Sequence, residues 1–141
     1  MKLYSPVLLA LSASLADFPL RAEHARVGEA RSRSCGSSLK LGLAVADNER
    51  VTEIGLQVSA CAVGQSAAAI FARGAKGVSK QEIEQALEQI DVWLSDPAAP
   101  LPTWPGFEAL DPAREHKGRH EALRLPWRAA ISALSSSASA S

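Results

Sequence analysis

The chain has 141 residues, with 15 Lys and Arg balanced by 15 Asp and Glu, for a formal net charge of +0 at pH 7. That length suits one domain with a modest core, and without a basic excess to neutralise phosphates it is not built to bind nucleic acid. Hydrophobic residues make up 47% and aromatic residues only 5%, so much of the apolar content is alanine, which suits close-packed helices more than a deep aromatic core; two cysteines are too few for a disulfide-rich scaffold.

The chain opens MKLYSPVLLALSASLAD. Residues 3–17 read as a helix with Leu3, Val7, Leu8, Leu11 and Leu15 on one inward stripe. Pro6 falls in its first turn, where proline is tolerated. One lysine, an apolar run and SLA also give a weak signal-peptide pattern. Ser5, Pro6, Ser12 and Ser14 interrupt that run, which favours a helix docked on the domain. No stretch is long and apolar enough to span a membrane. Residues 19–34 are polar and irregular, a loop or a short edge strand.

LKLGLAV then alternates. Leu39, Leu41, Leu43 and Val45 point one way, and Lys40, Gly42 and Ala44 the other. DNER reads as a turn with Asp47 and Asn48 suited to positive φ. VTEIGLQVSA resumes alternation, with Ile54, Leu56 and Val58 inward, which predicts a β-hairpin of about 37–46 and 51–60.

After Cys61, AVGQSAAAIFARGAKG reads as a helix ending at the glycines near Gly74 and Gly77. Ser79 followed by Glu82 forms a capping box at the start of a helix with Ile83, Ala86, Leu87, Ile90 and Leu94 as its stripe and Val92 and Trp93 alongside. Glu82, Glu84, Glu88 and Asp91 form its solvated outer face. PAAPLPTWPGFEALDP is a proline-rich connector, with Trp104 and Phe107 anchored on the core. A last helix starts at about Leu125. The organisation is one domain over residues 1–134 and a disordered Ser/Ala tail over 135–141. The fold class is α+β, a small antiparallel sheet with helices packed on one face, the 19–34 region being either a loop or a third, edge strand.

The two cysteines follow from the hairpin. Partner numbers in an antiparallel pair sum to a constant, about 96 to 98 for a turn centred on Asn48 or Glu49. Cys35 and Cys61 sum to 96, so both thiols belong at the same end of the sheet. Cys61 closes a strand and opens a helix, where the helix dipole and free N–H groups favour thiolate. Gly36, Ala60, Ala62 and Gly64 leave room there for an inorganic group. Two buried packing residues, or a disulfide in an exported protein, remain alternatives. No G-x-S-x-G, P-loop or HExxH pattern supplies an enzyme's machinery. His24 and His116 lie in polar loops and carry no assigned role.

The YSP near the start, CG before an alternating strand, the acidic turn, a cysteine opening a small-residue helix, WPG in the connector and the terminal RHEALRLPWRAAISAL together resemble the U-type iron–sulfur cluster assembly scaffolds (IscU, SufU and the N-terminal domain of NifU). The resemblance spans nearly the whole chain. It implies a non-enzymatic cytoplasmic protein that assembles a [2Fe–2S] cluster, or holds iron or zinc, and hands its cargo on. Its implied partners are a cysteine desulfurase and recipient apo-proteins, with no nucleic acid and no membrane. Cys35 matches the family's first cysteine and Cys61 its second. The family's aspartate falls at Ser37 and its third cysteine at Ala122, next to Glu121. A cluster or tetrahedral zinc takes four ligands, which leaves three arrangements. His120 or Glu121 completes a site with Cys35 and Cys61; two copies share a cluster as a homodimer; or the chain is a degenerate interaction module that binds assembly partners without a cluster.

Overall fold

The computed structural model describes residues 6–33 and 36–136. Leu3, Cys35 and the end of the Ser/Ala tail lie outside the described residues. Three strands form one antiparallel sheet in the order β1 (Arg26–Arg31), β2 (Ser38–Val45), β3 (Val51–Ser59). β1 is the edge strand of the 19–34 region. The β2–β3 register pairs Leu39 with Val58, Leu41 with Leu56 and Leu43 with Ile54. These pairs share the helix-facing side, as the alternation dictates. Leu41 and Leu43 are fully buried, while Val58 is only partly so.

The helices are α1 (Pro6–Ala13), α2 (Ala62–Gly74), α3 (Lys80–Ser95) and α4 (His120–Ser136). α4 lies on β1 and β2, α2 lies on β3 and against α4, α3 packs on α4, and α1 packs on α2. Gly28 permits the closest of these approaches. A Cβ there would stand 2.1 Å from the Ala129 carbonyl oxygen and 2.6 Å from the Ala133 nitrogen. α3 begins with both halves of the Ser79–Glu82 capping box. The Glu82 carboxyl is held below its ordinary value, mainly by the Ser79 backbone N–H and then by Arg50.

Four features differ from the sequence expectations. α1 ends earlier, at Ala13, and is rotated. Leu8 and Leu11 face α2, and Val7 is 56% exposed; the turn Ser14–Asp17 is a 3-10 helix that breaks the phase of the stripe. Positive φ in the hairpin turn falls on Glu49, not Asp47 or Asn48. The Asn48 side chain accepts from the Arg50 N–H, and this Asx-type turn leaves Glu49 to make the reversal. α4 starts at His120, well before Leu125. Pro126 looks like a helix start because it cannot donate to the carbonyl four residues back. Burial of Ala122, Leu123 and Leu125 holds the two preceding turns helical despite it. Finally, the few aromatics are not dispersed. Phe71, Trp93, Trp104, Phe107 and Trp127 form one cluster with neighbouring centroids 5.1 to 5.9 Å apart. Both connector anchors belong to it, and the Trp104 indole N–H donates to the Ile70 carbonyl.

The other face of the sheet is partly covered as well. The 18–24 segment crosses it, with the Leu56 N–H donating to the Phe18 carbonyl. His24 is buried over Gly42 and Gly55, which pair directly across the strands. Its Nδ1 accepts from the Arg21 N–H, and its Nε2 lies 3.7 Å from the Glu53 carboxylate.

Candidate functional site

Three segments far apart in sequence meet at the end of the sheet opposite the hairpin turn. The first is the 32–37 loop between β1 and β2. Its neck is closed by the Ser32 N–H donating to the Ser37 carbonyl, 2.8 Å. Gly36 takes φ +71, the left-handed conformation that suits glycine in a tight reversal. Cys35 belongs to this loop by sequence. The second is the β3–α2 junction, where Cys61 is the N-cap of α2 with an extended backbone (φ −66, ψ 174). Its side chain makes no capping hydrogen bond and is half-buried. The positive end of the α2 dipole therefore lies beside its sulfur. The Gln65 side chain fastens this junction by donating to the Ala60 carbonyl.

The third segment is the start of α4. Ala122 is fully buried. A Cβ on Gly64, in the first turn of α2, would lie 3.4 Å from the Ala122 Cβ. The position where the resemblance expects a third cysteine is thus packed close to Cys61, but it carries a methyl group. Ser37, at the aspartate's position, is also buried. Neither is a thiolate or carboxylate, and among the described residues no group of three or more His, Cys, Asp or Glu is arranged to hold a metal ion.

The two further candidates diverge. The His120 Nε2 lies 2.7 Å from the Arg114 carbonyl, so that nitrogen bonds to the 3-10 segment Phe107–Glu115. The Glu121 carboxylate reaches the thiol end. Its Oε1 accepts from the Ser32 hydroxyl at 3.1 Å and from the Arg33 N–H at 3.0 Å.

Sequence reasoning missed the Phe107–Glu115 segment and the burial of His24. Arg114 in that segment donates to the Trp93 and Asp96 carbonyls at the end of α3 and stacks over the Trp93 ring. The signal for His24 was the glycine pair at outward positions of neighbouring strands, which leaves a hollow for a side chain.

A small antiparallel sheet with helices on one face, closed by a helix that returns to the β2–β3 open end, is the U-type iron–sulfur scaffold fold. The chain is similar over 99% of its length to a nitrogen-fixing NifU-like protein (N-terminal) from Brucella abortus, covering 96% of that chain with a TM-score of 0.85 and 24% identity. It is also similar to a protein of the thermophile Fervidobacterium islandicum assigned as an iron–sulfur cluster assembly scaffold for the SUF system, with a TM-score of 0.82, 20% identity, and coverage of 94% of this chain and 96% of that one. A hypothetical protein superposes with a TM-score of 0.72 at 16% identity, over 92% of this chain and 97% of that one. No protein-family model and no curated protein matches the sequence. Among the described residues no helix is long and apolar enough to cross a membrane.

Proposed function

We propose that this chain is a U-type scaffold or carrier that takes up iron or a [2Fe–2S] cluster through Cys35 and Cys61 and passes it on. One observation carries the reading. In a fold shared with iron–sulfur scaffolds, Cys61 caps α2 where the Cys35-bearing loop and the start of α4 converge. Two thiolates are half the donor set of a cluster. Two copies, each giving Cys35 and Cys61, would supply all four, so the reading favours a cluster on a dimer axis over a closed four-ligand site in one chain. Neighbouring small residues and the α2 dipole suit the anionic cargo. The protein performs no bond-breaking step of its own. A cysteine desulfurase supplies sulfur and apo-proteins receive the cargo. The reading requires a reducing compartment such as the cytoplasm, where thiols stay reduced.

Anaerobic reconstitution with ferrous iron and sulfide tests it. Visible charge-transfer absorbance should develop in the wild type and fail in Cys35→Ala and in Cys61→Ala. A wild type that stays colourless at dimer-forming concentrations overturns it.

The buried Ser37 and Ala122 favour one second reading, a module that binds assembly partners without holding a cluster. It predicts that a variant with both cysteines changed to alanine still binds the desulfurase with wild-type affinity and retains its effect in cells. Loss of both counts against it.

A further inference from the structure

We infer that Glu121 is a positioning residue that clamps the Cys35-bearing loop to the start of α4. The loop joins two strands, and its neck is closed by the Ser32 N–H donating to the Ser37 carbonyl. Glu121 adds a tie from 88 residues away in sequence, its Oε1 accepting from the Ser32 hydroxyl and from the Arg33 N–H. At 3.1 and 3.0 Å both are hydrogen bonds of ordinary length. A two-point attachment, to a side-chain hydroxyl and to the next residue's N–H, fixes the loop's direction as well as its distance. Glu121 sits in the first turn of α4, where its charge is also favoured by the helix dipole. It spends that charge on the loop. Ser32 is buried, so losing the carboxylate would remove a partner from a desolvated hydroxyl and weaken the loop's attachment to α4.

The clamp needs an acceptor oxygen, and its catalytic innocence separates it from a ligand. Glutamine keeps an acceptor oxygen at the same reach but is a poor iron ligand, whereas alanine removes both functions. The proposal deepens the cluster reading, on which its functional relevance rests, but the clamp itself is measurable without any metal.

The test is thiol alkylation of the metal-free full chain with a maleimide, followed by peptide mass spectrometry, in wild type, Glu121→Gln and Glu121→Ala. Far-UV circular dichroism confirms that each variant is folded. Glu121→Ala should change the Cys35 rate several-fold and leave the Cys61 rate unchanged, and Glu121→Gln should keep both rates near wild type. Equal Cys35 rates in all three proteins, or a Gln variant that behaves like the Ala variant, overturn the clamp. Iron–sulfide reconstitution of the same three proteins reads the other layer. If the clamp result holds while the wild type takes up no cluster, the cluster reading fails and the clamp stands. If Glu121→Gln keeps the wild-type alkylation pattern but loses cluster uptake, the carboxylate is also a ligand, and a role confined to positioning is overturned.

Discussion

The two ends of the sheet are held by different means. At the hairpin end, the turn is bonded to the start of α3 and to the segment before it. Ala46 and Arg50 close the turn, and the Arg50 guanidinium bonds both the Gly77 carbonyl and the Glu82 carboxylate. Val51 exchanges backbone bonds with Gly77 and Val78, and Ser79 and Glu82 cap α3. At the thiol end, three distant segments meet, and Glu121 ties the loop to α4. The first end is a structural joint. The second joins segments distant in sequence around the N-cap of α2.

The largest expected effect removes the support common to both ends. Gly28→Ala drives a Cβ into the α4 backbone. Overpacking costs about 1–3 kcal/mol when side chains can shift, and a backbone obstacle puts this variant at the upper end or beyond. Urea denaturation measures it. A loss under about 0.5 kcal/mol, the range of neutral surface changes, would mean that α4 is not seated on β1 as described.

Ala122→Cys sharpens the contrast instead. It places a third thiol beside the first turn of α2 with a small volume change. If the thiol end holds a cluster, this variant should slow cluster loss in air by several-fold, followed by the decay of visible absorbance. An unchanged decay would separate Ala122 from the site.

Ser79→Ala should cost about 1 kcal/mol by loss of an N-cap, with Cys61 alkylation unaltered. A changed Cys61 rate would show that the two ends are coupled. The smallest effect is acid dependence at Glu82. Because its folded value lies below the ordinary 4.5, its stabilising contribution is complete above that ordinary value. It declines as pH falls through the lowered folded value. Thermal melts of wild type and Glu82→Gln should therefore converge on acidification, and curves that stay parallel from neutral to acid pH would contradict the capping role.

This contrast also explains what the sequence made legible. Alternation in LKLGLAV and VTEIGLQV, the Ser79–Glu82 box and the stripe of Ile83, Ala86 and Ile90 are local signals, and the corresponding elements form where those signals put them. The early start of α4 was hidden because Pro126 imitates a helix boundary, and only packing against the sheet overrides it. The aromatic cluster was hidden because composition counts residues without locating them. At the thiol end, register arithmetic brought the Cys35 loop and Cys61 to one end of the sheet. The bonds from Glu121 to Ser32 and Arg33 depend on contacts that no local pattern encodes, and so does the turning of His120 toward Arg114.

The most direct test of the central claim is native mass spectrometry of the reconstituted wild type and Cys61→Ala under anaerobic conditions. The account predicts a wild-type dimer carrying the added mass of one [2Fe–2S] cluster, and a variant without that mass. A wild type that carries no added iron or sulfide, or a Cys61→Ala variant that carries the same cluster mass, would contradict it.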